Sequence, residues 1–531
     1  LLNAQFSSVF SKRGKHQLPT VNWQFSSSKP VIFSNEGIKN LLKKLKEHKA
    51  AGPDEITTKL LKTLASELAP ALELLYQATM KQGLIPDDWR HAKVAPIYKK
   101  GDRSFLENYR PLSLTSVLCK TAEHIVTSHI HQHLDEYNIL TNAQHGFRKY
   151  RSTDTQLMLT LQDLHRVIEH KGQTDLIQLD FSKAFDKVPH DLLLHKLTFY
   201  GLETNTTKWI SAFLSSRSQE VMVEGKSSLR AEVTSGVPQG SVLGPLLFLL
   251  FINDLPNYLQ EKSTVRLFAD DAVLYRQINN DTDATLLQQD LDSLLQWEHD
   301  WGMSFHPSKC QVMRITTKKA VRETSYNIRG HQLELVASSK YLGVTISQDL
   351  TWREHINNIT SKANGTLALL QRNISHCPKT LKAQSYKTLV RPQLEYCSPI
   401  WDPHHKKNIQ KIEAVQNRAA RYVNNDYSRH SSVTTMKESL GWESLEARRK
   451  ICKVVFLYKV VNTLVDVRLD LRPSPHQPGK FTQIYCRTVG YQRSFVPDTI
   501  VIWNSLPTTM TSAPTLEAFK AAASSVLCSR F

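Results

Sequence analysis

Two apolar runs that each end in acidic residues dominate the hydropathy pattern of this chain. Residues 266–275 (RLFADDAVLY) place Asp270 and Asp271 between two short apolar stretches, which predicts a β-hairpin with both carboxylates at its tip. Residues 176–186 (LIQLDFSKAFD) form a second apolar run, and it leads into Asp180. A surface hairpin explains the first run alone, but apolar flanks beside unpaired anions are costly without a cation. Two such strands together predict an oxygen-rich site for two Mg²⁺ ions and phosphoryl-transfer chemistry.

The remaining pattern predicts a mixture of helices and strands. Short apolar and basic pieces over 89–114 favour strands and loops, and a Gly/Pro-rich turn at 235–245 lies between the two aspartate strands. A Pro-rich linker is expected near 472–479, ahead of a last segment of about fifty residues. Helical spacing is found over 38–48, 60–82, 121–137, 157–170, 191–215, 282–301 and most of 350–430.

The charge balance points to a polyanionic partner. The 531 residues include 67 Lys and Arg against 49 Asp and Glu, a formal net charge of +18. With a pI near 9.4, we expect nucleic acid as the first partner class and an anionic membrane surface as the second.

Cysteine usage and apolar run lengths bear on the compartment. The seven cysteines form no C-x-x-C pair, and an odd, scattered set favours reduced thiols inside the cell. The longest apolar run, 242–252, is too short to span a bilayer, and no signal-peptide pattern is present. We therefore expect a nuclear or cytoplasmic protein that is neither secreted nor membrane-bound. The chain begins with Leu1 rather than Met, as a fragment of a longer reading frame would.

Eight short motifs follow one another along the chain, and eight in order are far more specific than any one alone. They are 95–102 (APIYKKGD), 108–114 (NYRPLSL), 144–148 (QHGFR), 180–186 (DFSKAFD), 235–245 (SGVPQGSVLGP), 268–271 (FADD), 306–309 (HPSK) and 340–344 (KYLGV). In these motifs, the chain resembles the reverse transcriptases of non-LTR (LINE-type) retrotransposons, jockey-like ones in particular. Two further pieces, 396–401 (YCSPIW) and 503–507 (WNSLP), resemble the C-terminal region of that family.

The resemblance implies an α+β fold with the right-hand arrangement of a polymerase and a helical C-terminal extension. The reverse transcriptase domain as a whole is expected over about 80–346. The expected regions are a weakly structured lead-in (1–39), fingers (40–170), a palm with the catalytic aspartates (171–346), a thumb-like helical region (347–430) and a C-terminal extension (431–531).

The resemblance also implies the catalytic residues. Asp180, Asp270 and Asp271 are the expected catalytic carboxylates and, with the backbone carbonyl of Phe181, the ligands of two Mg²⁺ ions, for which Mn²⁺ could substitute. Lys309 matches a lysine proposed to protonate the departing pyrophosphate. That match is weakened because His306 stands where the family usually has Asn. Asp186 is expected to pack or cap locally rather than to bind metal.

Two basic residues match the family's triphosphate-binding positions. They are Lys99 and Arg110, and Arg suits phosphate because its planar fork donates two hydrogen bonds at once. The motif leaves open whether Lys99 or its neighbour Lys100 reaches the nucleotide. A solvated loop would explain the two lysines equally simply.

Three further residues are expected to contact the nucleotide. Phe185 matches an aromatic position that clashes with a 2′-hydroxyl and so selects dNTP over rNTP; without the motif, a core Phe would be the simpler interpretation. Gln239 and Gly240 match a loop whose bare backbone approaches a template base pair, although an ordinary turn is the alternative.

Basic side chains on one helix predict a nucleic-acid contact. Over 406–423, apolar residues fall on one arc at 100° per residue and basic residues on another, as expected for a helix lying along a phosphate backbone. A solvated charged face explains the pattern equally well. Arg148 of the QHGFR motif is a further candidate. The basic arc consists of Lys407, Lys411, Arg418 and Arg421.

The expected function is RNA-directed DNA synthesis from dNTPs, with an RNA template and a DNA primer. An endonuclease domain is expected in the full-length element, upstream of this fragment. One alternative is an RNA-dependent RNA polymerase, which Phe185 argues against. The other is a catalytically inactive or domesticated nucleic-acid-binding relic, which the intact aspartates argue against.

Overall fold

The computed structural model describes residues 1–11, 18–20, 24–260 and 262–528. Its first part is mainly helical, as the sequence predicts over 60–82, 121–137 and 157–170. The elements up to residue 169 are α1 (Leu2–Ser7), α2 (Asn35–Lys43), α3 (Thr58–Thr63), α4 (Ala65–Gln82), α5 (Asp87–Arg90), β1 (His91–Tyr98), β2 (Tyr109–Leu114), α6 (Val117–Glu136) and α7 (Thr153–Glu169).

The middle of the chain contains most of the strands, and the predicted hairpin with Asp270 and Asp271 at its tip is confirmed. Its elements are β3 (Gln173–Asp180), α8 (Ala184–Lys187), α9 (His190–Phe199), α10 (Thr204–Leu214), β4 (Arg217–Val223), β5 (Lys226–Ser227), β6 (Ala231–Val233), α11 (Gly244–Ile252), β7 (Thr264–Phe268), β8 (Asp271–Gln277), α12 (Asp281–Trp301), β9 (Gln311–Thr316), β10 (Asn327–Ile328), β11 (His331–Gln332), β12 (Glu334–Leu335), β13 (Ser338–Tyr341) and β14 (Val344–Ser347).

The last part is helical, which confirms the pattern predicted for 350–430. Its elements are α13 (Arg353–Asn373), α14 (Lys379–Ser385) followed by a π-helical turn (Tyr386–Val390), α15 (Arg391–Glu395), α16 (Ser398–Trp401), α17 (Lys406–Asn424), α18 (Val433–Ser439), α19 (Leu445–Val461), α20 (Val489–Gln492), α21 (Phe495–Ser505), α22 (Thr508–Thr511) and α23 (Leu516–Leu527).

A central sheet with the order β12-β9-β3-β8-β7 lies between two hydrophobic cores. Its middle strand, β3, pairs antiparallel with both β8 and β9. Successive side chains of a strand point to opposite faces. Ile177 and Leu179 accordingly join the core that contains α9, α11 and α12, and Leu176 joins the core that contains α7, α13, α17 and α19. Burial on both faces explains why Leu176, Ile177 and Leu179 are all apolar although they do not share one face of β3.

A second sheet has the order β2-β1-β4-β5, with β6 paired to β4. The predicted lead-in, 1–39, contains helix α1 next to this sheet, although its sequence pattern is weak; residues 12–17 and 21–23 of the lead-in lie outside the described residues. Helix α1 buries Phe6 against Val94 of β1 and Val221 of β4. The contact with Val221 spans more than 200 residues of sequence, so no local pattern in the lead-in could reveal it.

The segment after the predicted linker does not stand apart from the rest of the chain. Residues 472–479 contain no helix and, as regular structure, one isolated β-bridge, but α21 and α23 pack on α19 within the second core. Buried ion pairs reinforce this packing. Asp402 contacts Arg449 (2.8 Å) and Lys453 (3.1 Å), and Lys453 also contacts Asp498 of α21 (2.7 Å). None of the helices that the structure describes is both long enough and apolar enough to cross a bilayer.

Candidate active site

Three carboxylates meet at one end of the central sheet. Asp180 is the last residue of β3 and lies directly opposite Asp271, the first residue of β8. Facing residues of an antiparallel pair have Cα atoms about 4.5–5.5 Å apart. Asp270 lies in the two-residue turn between β7 and β8. The structure therefore brings together the three aspartates that the sequence singled out.

The clustering of these carboxylates changes their protonation. Asp271 is open to the cleft, but partial desolvation, together with the negative charges of Asp270 and Asp180, raises its pKa to about 6. Desolvation also raises the pKa of Asp270. Both shifts mean that the ionised carboxylates are poorly compensated by the protein alone.

A short turn positions Lys309 beside Asp180. The 3₁₀ turn Pro307–Lys309 follows His306, whose backbone N–H donates to the carbonyl oxygen of Asp180 (2.7 Å). Lys309 Nζ lies 3.6 Å from Asp180 Oδ2. The ring of Phe181 is buried against Phe305 at a centroid distance of 4.4 Å, so Phe181 can serve the site only through its backbone.

The β1–β2 hairpin supplies the facing positive charge. Arg110 pairs with Ile97, and alternation along the strand places Lys99, rather than Lys100, on the same face. The positive charges of Lys99 and Arg110 lower the pKa of Asp270 and of Asp271, against the larger effect of desolvation. Electrostatically, Lys99 is therefore the lysine that acts on the carboxylates.

Phe185 lies on the short helix α8, just after β3, and not on a strand. Its half-buried ring stacks on Phe248 of α11 at a centroid distance of 4.3 Å. The ring of Phe147 approaches it edge-on at 6.3 Å. The backbone carbonyl of Phe185 accepts a hydrogen bond from Val237 (2.8 Å), so the 235–245 loop fixes this turn.

That loop is also fixed to β2. The carbonyl oxygen of Gln239 accepts a hydrogen bond from the backbone N–H of Ser113 (2.8 Å). Gly240 has a φ of +123°, and a Cβ there would lie 2.4 Å from the carbonyl oxygen of Ser113. Gln239 Nε2 donates to Asp186 Oδ1 (2.8 Å), which confirms that Asp186 is a local packing and hydrogen-bonding residue.

Helix α17 has the predicted two faces. Ile412, Val415, Ala419, Tyr422 and Val423 are buried, whereas Lys407, Lys411 and Arg418 are exposed. Arg421 is less exposed than the other three basic residues. Its guanidinium donates to the backbone carbonyls of Ser428 (2.7 Å) and Ser431 (3.5 Å), so it holds the following loop.

Arg148 is only partly available to a ligand. It donates to the backbone carbonyls of Thr141 (2.7 Å) and Leu140 (3.3 Å). It also lines a groove of about 1540 Å³ beside the exposed rings of Phe147 and Tyr150. Burial, followed by the charge of Arg151, lowers the pKa of Arg148 to about 10.

Two buried polar residues support the site and were not singled out by the sequence. Gln144 Oε1 accepts a hydrogen bond from the backbone N–H of Ala269, in the turn that carries Asp270 (2.9 Å). Glu123 Oε2 accepts from the backbone N–H groups of Val242 (2.7 Å) and Leu243 (2.9 Å). Gln144 belongs to the QHGFR motif, which was the available signal. Glu123 lies in an ordinary helix, and nothing local marks it.

The donor set fits divalent cations. In the described part of the chain, no group of three or more His, Cys, Asp or Glu side chains is arranged so that it could hold a metal ion. Mg²⁺ commonly takes one or two carboxylates together with water and substrate phosphates, so it does not require a complete protein cage. The oxygen donors of Asp180, Asp270 and Asp271, and the raised pKa values of Asp270 and Asp271, match such an ion.

Comparison with known proteins shows which class the middle of the chain resembles. Residues 97–346 match the family described as reverse transcriptase (RNA-dependent DNA polymerase). Over those residues the chain is similar to that family, and the match implies a polymerase palm-and-fingers fold. This agrees with the mixture of helices and sheets described above.

The relatives come from mobile elements, which confirms the resemblance predicted from the motifs. The chain is 29% identical to the "Probable RNA-directed DNA polymerase from transposon BS" of Drosophila melanogaster, over 77% of this chain and 46% of that protein. It is 28% identical to the "RNA-directed DNA polymerase from mobile element jockey" of the same species, over 75% and 45% respectively. It is 28% identical to the "Probable RNA-directed DNA polymerase from transposon X-element" of Drosophila melanogaster, over 71% of this chain and 42% of that protein. The chain thus spans less than half the length of these curated relatives.

Added Mg²⁺ or Mn²⁺ should raise the unfolding temperature, because a cation that binds only the folded site stabilises it by mass action. The expected gain is about 1 kcal/mol when the free cation is about five times its dissociation constant. Asp271→Asn should remove most of this gain. Thermal unfolding in EDTA and in each cation measures it, with Asp292→Asn on the exposed face of α12 as the control. Equal gains in wild type and Asp271→Asn would contradict the cation site.

Proposed function

We propose that this chain is an RNA-directed DNA polymerase of a non-LTR retrotransposon, which extends a DNA primer on an RNA template with dNTPs. The observation that carries the proposal is the meeting of Asp180, Asp270 and Asp271 at one sheet end, within the reverse transcriptase domain. Lys99, Arg110 and Lys309 oppose these carboxylates from separate segments. A site in which carboxylates lie beside cationic side chains suits a metal-bound triphosphate, because the carboxylates can bind the metal and the cations can bind the phosphates.

The proposal assigns the parts of a right hand to regions of the chain. The fingers are 40–170, which include the β1–β2 hairpin. The palm is 171–346, which includes the central sheet. The thumb is 347–430, where α13 and α17 pack together, and 431–531 is a C-terminal extension.

Two Mg²⁺ ions, or Mn²⁺ in their place, would be held by the carboxylates of Asp180, Asp270 and Asp271 and by the backbone carbonyl of Phe181. When bound, the ions would make the primer 3′-hydroxyl a better nucleophile and neutralise charge on the leaving pyrophosphate. In the reaction, the primer 3′-oxygen forms a bond to the α-phosphorus, and the bond between the α- and β-phosphates breaks.

The cationic side chains would bind the triphosphate. Arg110 offers two parallel donors to phosphate oxygens, and Lys99, on the same face, adds a point charge. Lys309 would donate a proton from Nζ to the leaving pyrophosphate. Its position beside Asp180 supports this role, because the carboxylate keeps the ammonium close to the reacting phosphates.

Phe185 would exclude ribonucleotides. Stacking on Phe248 fixes one face of the ring, so the ring cannot turn aside to admit a 2′-hydroxyl. Gln239 and Gly240, in the loop beside Phe185, would contact the template base pair. Phe185 is the residue that separates DNA synthesis from the RNA-polymerase alternative.

Other segments would bind the template and primer. The exposed face of α17, with Lys407, Lys411 and Arg418, would lie along the phosphate backbone. Arg148 would contribute from the groove beside Phe147 and Tyr150. As the family resemblance implies, we include an endonuclease domain of the full-length element in the proposal.

Primer extension tests the function directly. The purified chain with poly(rA)/oligo(dT), dTTP and Mg²⁺ should incorporate dTMP. Asp270→Asn should lower the rate by about 100-fold or more, because a neutral amide holds Mg²⁺ poorly. RNA binding should survive. Asp186→Asn is the matched control, because the Asn side chain can still accept the hydrogen bond from Gln239.

Two outcomes would overturn this function. RNA synthesis from rNTPs in preference to DNA synthesis would identify an RNA-dependent RNA polymerase. Tight RNA binding without any incorporation by the wild-type chain would identify an inactive relic.

Replacing Phe185 should change sugar selection. Phe185→Ala should raise the kcat/KM for rNTP relative to dNTP by about 10-fold or more, because the smaller side chain leaves room for the 2′-hydroxyl. Single-nucleotide incorporation with dTTP and UTP measures the ratio. Phe147→Ala, which removes a ring touching Phe185, should leave it unchanged. If Phe185→Ala keeps the wild-type ratio, Phe185 is only a core residue.

Replacing Lys407, Lys411 and Arg418 with Gln should weaken binding to all nucleic-acid sequences about equally. The slope of log K against log salt should become shallower by up to about 3 units, because fewer phosphate contacts release fewer counterions. Arg421 is left in place because it holds a loop. The control replaces Lys43, Lys44 and Lys46, which changes the net charge equally. Equal slopes for the two triple variants would show that the α17 face is merely solvated.

A further inference from the structure

The turn that carries Asp270 is held by one buried side chain from a distant segment. Gln144 Oε1 accepts hydrogen bonds from the backbone N–H groups of Ala269 (2.9 Å) and Gly146 (2.7 Å). Gln144 Nε2 donates to the carbonyl oxygen of Ala269 (3.4 Å). A single side-chain amide thus binds both backbone polar groups of Ala269. Because two N–H groups converge on the same atom, that atom must be the amide oxygen.

The backbone at Ala269 requires such support. Ala269 has a φ of +53°, in the left-handed region that non-glycine residues rarely adopt. It is also buried, so water does not supply the missing hydrogen bonds. The peptide that follows Ala269 sets the direction of Asp270. Whatever fixes Ala269 therefore also fixes the carboxylate of its neighbour.

Gln144 is itself rigidly held. The segment around it runs alongside β7, where Leu267 N–H donates to Ala143 O and His145 N–H donates to Leu267 O, both at 2.8 Å. His145 Nδ1 lies 2.8 Å from the hydroxyl of Thr155 at the start of α7. Arg151 donates to the carbonyl oxygen of Gln144 (2.9 Å). The amide that holds the turn is thus anchored on β7 and α7.

Gly146 completes the contact. A Cβ at this position would lie 2.3 Å from the backbone nitrogen of Ala269. The backbones of the two segments therefore touch, and no side chain fits between them. This closeness lets the short reach of Gln144 span both polar groups of Ala269.

We infer that Gln144 is a positioning residue for Asp270 and Asp271. Its side-chain amide holds Ala269 in the left-handed conformation and so fixes the two carboxylates relative to Asp180. The inference rests on the proposed polymerase function. Gln144 acts through the turn, so its loss slows the incorporation step and leaves template binding intact.

The test replaces Gln144 with Met, which keeps length and bulk but loses both hydrogen-bonding atoms. In Gln144→Met, kcat for dTMP incorporation should fall by about 10- to 100-fold, as for other residues that orient metal ligands. The dissociation constant for primer–template should stay at the wild-type value.

The matched control is Gln416→Met. Gln416 is equally buried, and both its amide atoms are used, by the hydroxyl of Tyr386 (2.9 Å) and the carbonyl of Glu443 (2.8 Å). It lies in the second core, away from the site. The Gln416→Met variant should lose about as much folding stability as Gln144→Met but keep the wild-type kcat. Equal losses of kcat in the two variants would show a merely structural role and overturn the inference.

Hydrogen exchange gives a readout that is independent of activity. In metal-free protein, a peptide covering 264–275 should exchange faster in Gln144→Met than in wild type or Gln416→Met. Unchanged exchange would overturn the inference. If the wild-type chain proves inactive, only the proposed polymerase function fails. The exchange rate and the cation-dependent gain in unfolding temperature would still decide the role of Gln144.

A rescue variant keeps the test decisive if Gln144→Met folds poorly. Glycine adopts positive φ without steric cost, so Ala269→Gly should restore part of the lost kcat in the Gln144→Met background. Ala269→Gly alone should have a kcat no higher than that of the wild type. A double variant with no recovery of kcat over Gln144→Met would contradict the claim that Gln144 acts by holding Ala269.

Discussion

Mutual repulsion among three carboxylates is the constraint on which the rest of this structure depends. Asp180, Asp270 and Asp271 share one end of a sheet, and partial desolvation strengthens their repulsion. Such a cluster stays in place only if the backbone beneath it is rigid. The middle strand β3 is paired on both sides and buried on both faces, and it supplies that rigidity. The cations Lys99 and Lys309 oppose the repulsion from outside the sheet.

The same sheet explains why the C-terminal segment belongs to the body of the protein. One face of β3 rests on the core that α19, α21 and α23 help to build. Buried charges are costly unless paired, and removing one partner is more costly still. Asp402 and Asp498 each have Lys453 as a partner. Against the effect of burial, the positive neighbours hold the pKa of Asp402 well below its usual range and lower the pKa of Asp498. This network couples the end of the chain to the core beneath the site.

Local pattern revealed the reacting groups but not their support. The hairpin at Asp270, the strand leading to Asp180 and the two faces of α17 were predictable because strand and helix periodicity depend on neighbouring residues. Contacts between distant segments left no such signal. The packing of Phe6 and the position of the C-terminal helices in the second core both depend on such contacts.

The motifs combine a local pattern that can be predicted with a distant contact that cannot, because each motif packs against another motif. The backbone at Gly146 touches Ala269, a Cβ at Gly236 would meet the backbone of Asp186, and a Cβ at Gly240 would meet that of β2. The 306–309 turn likewise hydrogen-bonds to the carbonyl of Asp180. Read along the chain, these are separate short patterns; in the fold, they are pairs of touching backbones around the carboxylates. Each of these glycines therefore lets the backbone of another motif approach closely, where a Cβ would clash with it. The sequence can show which segments matter before it can show which pairs must fit.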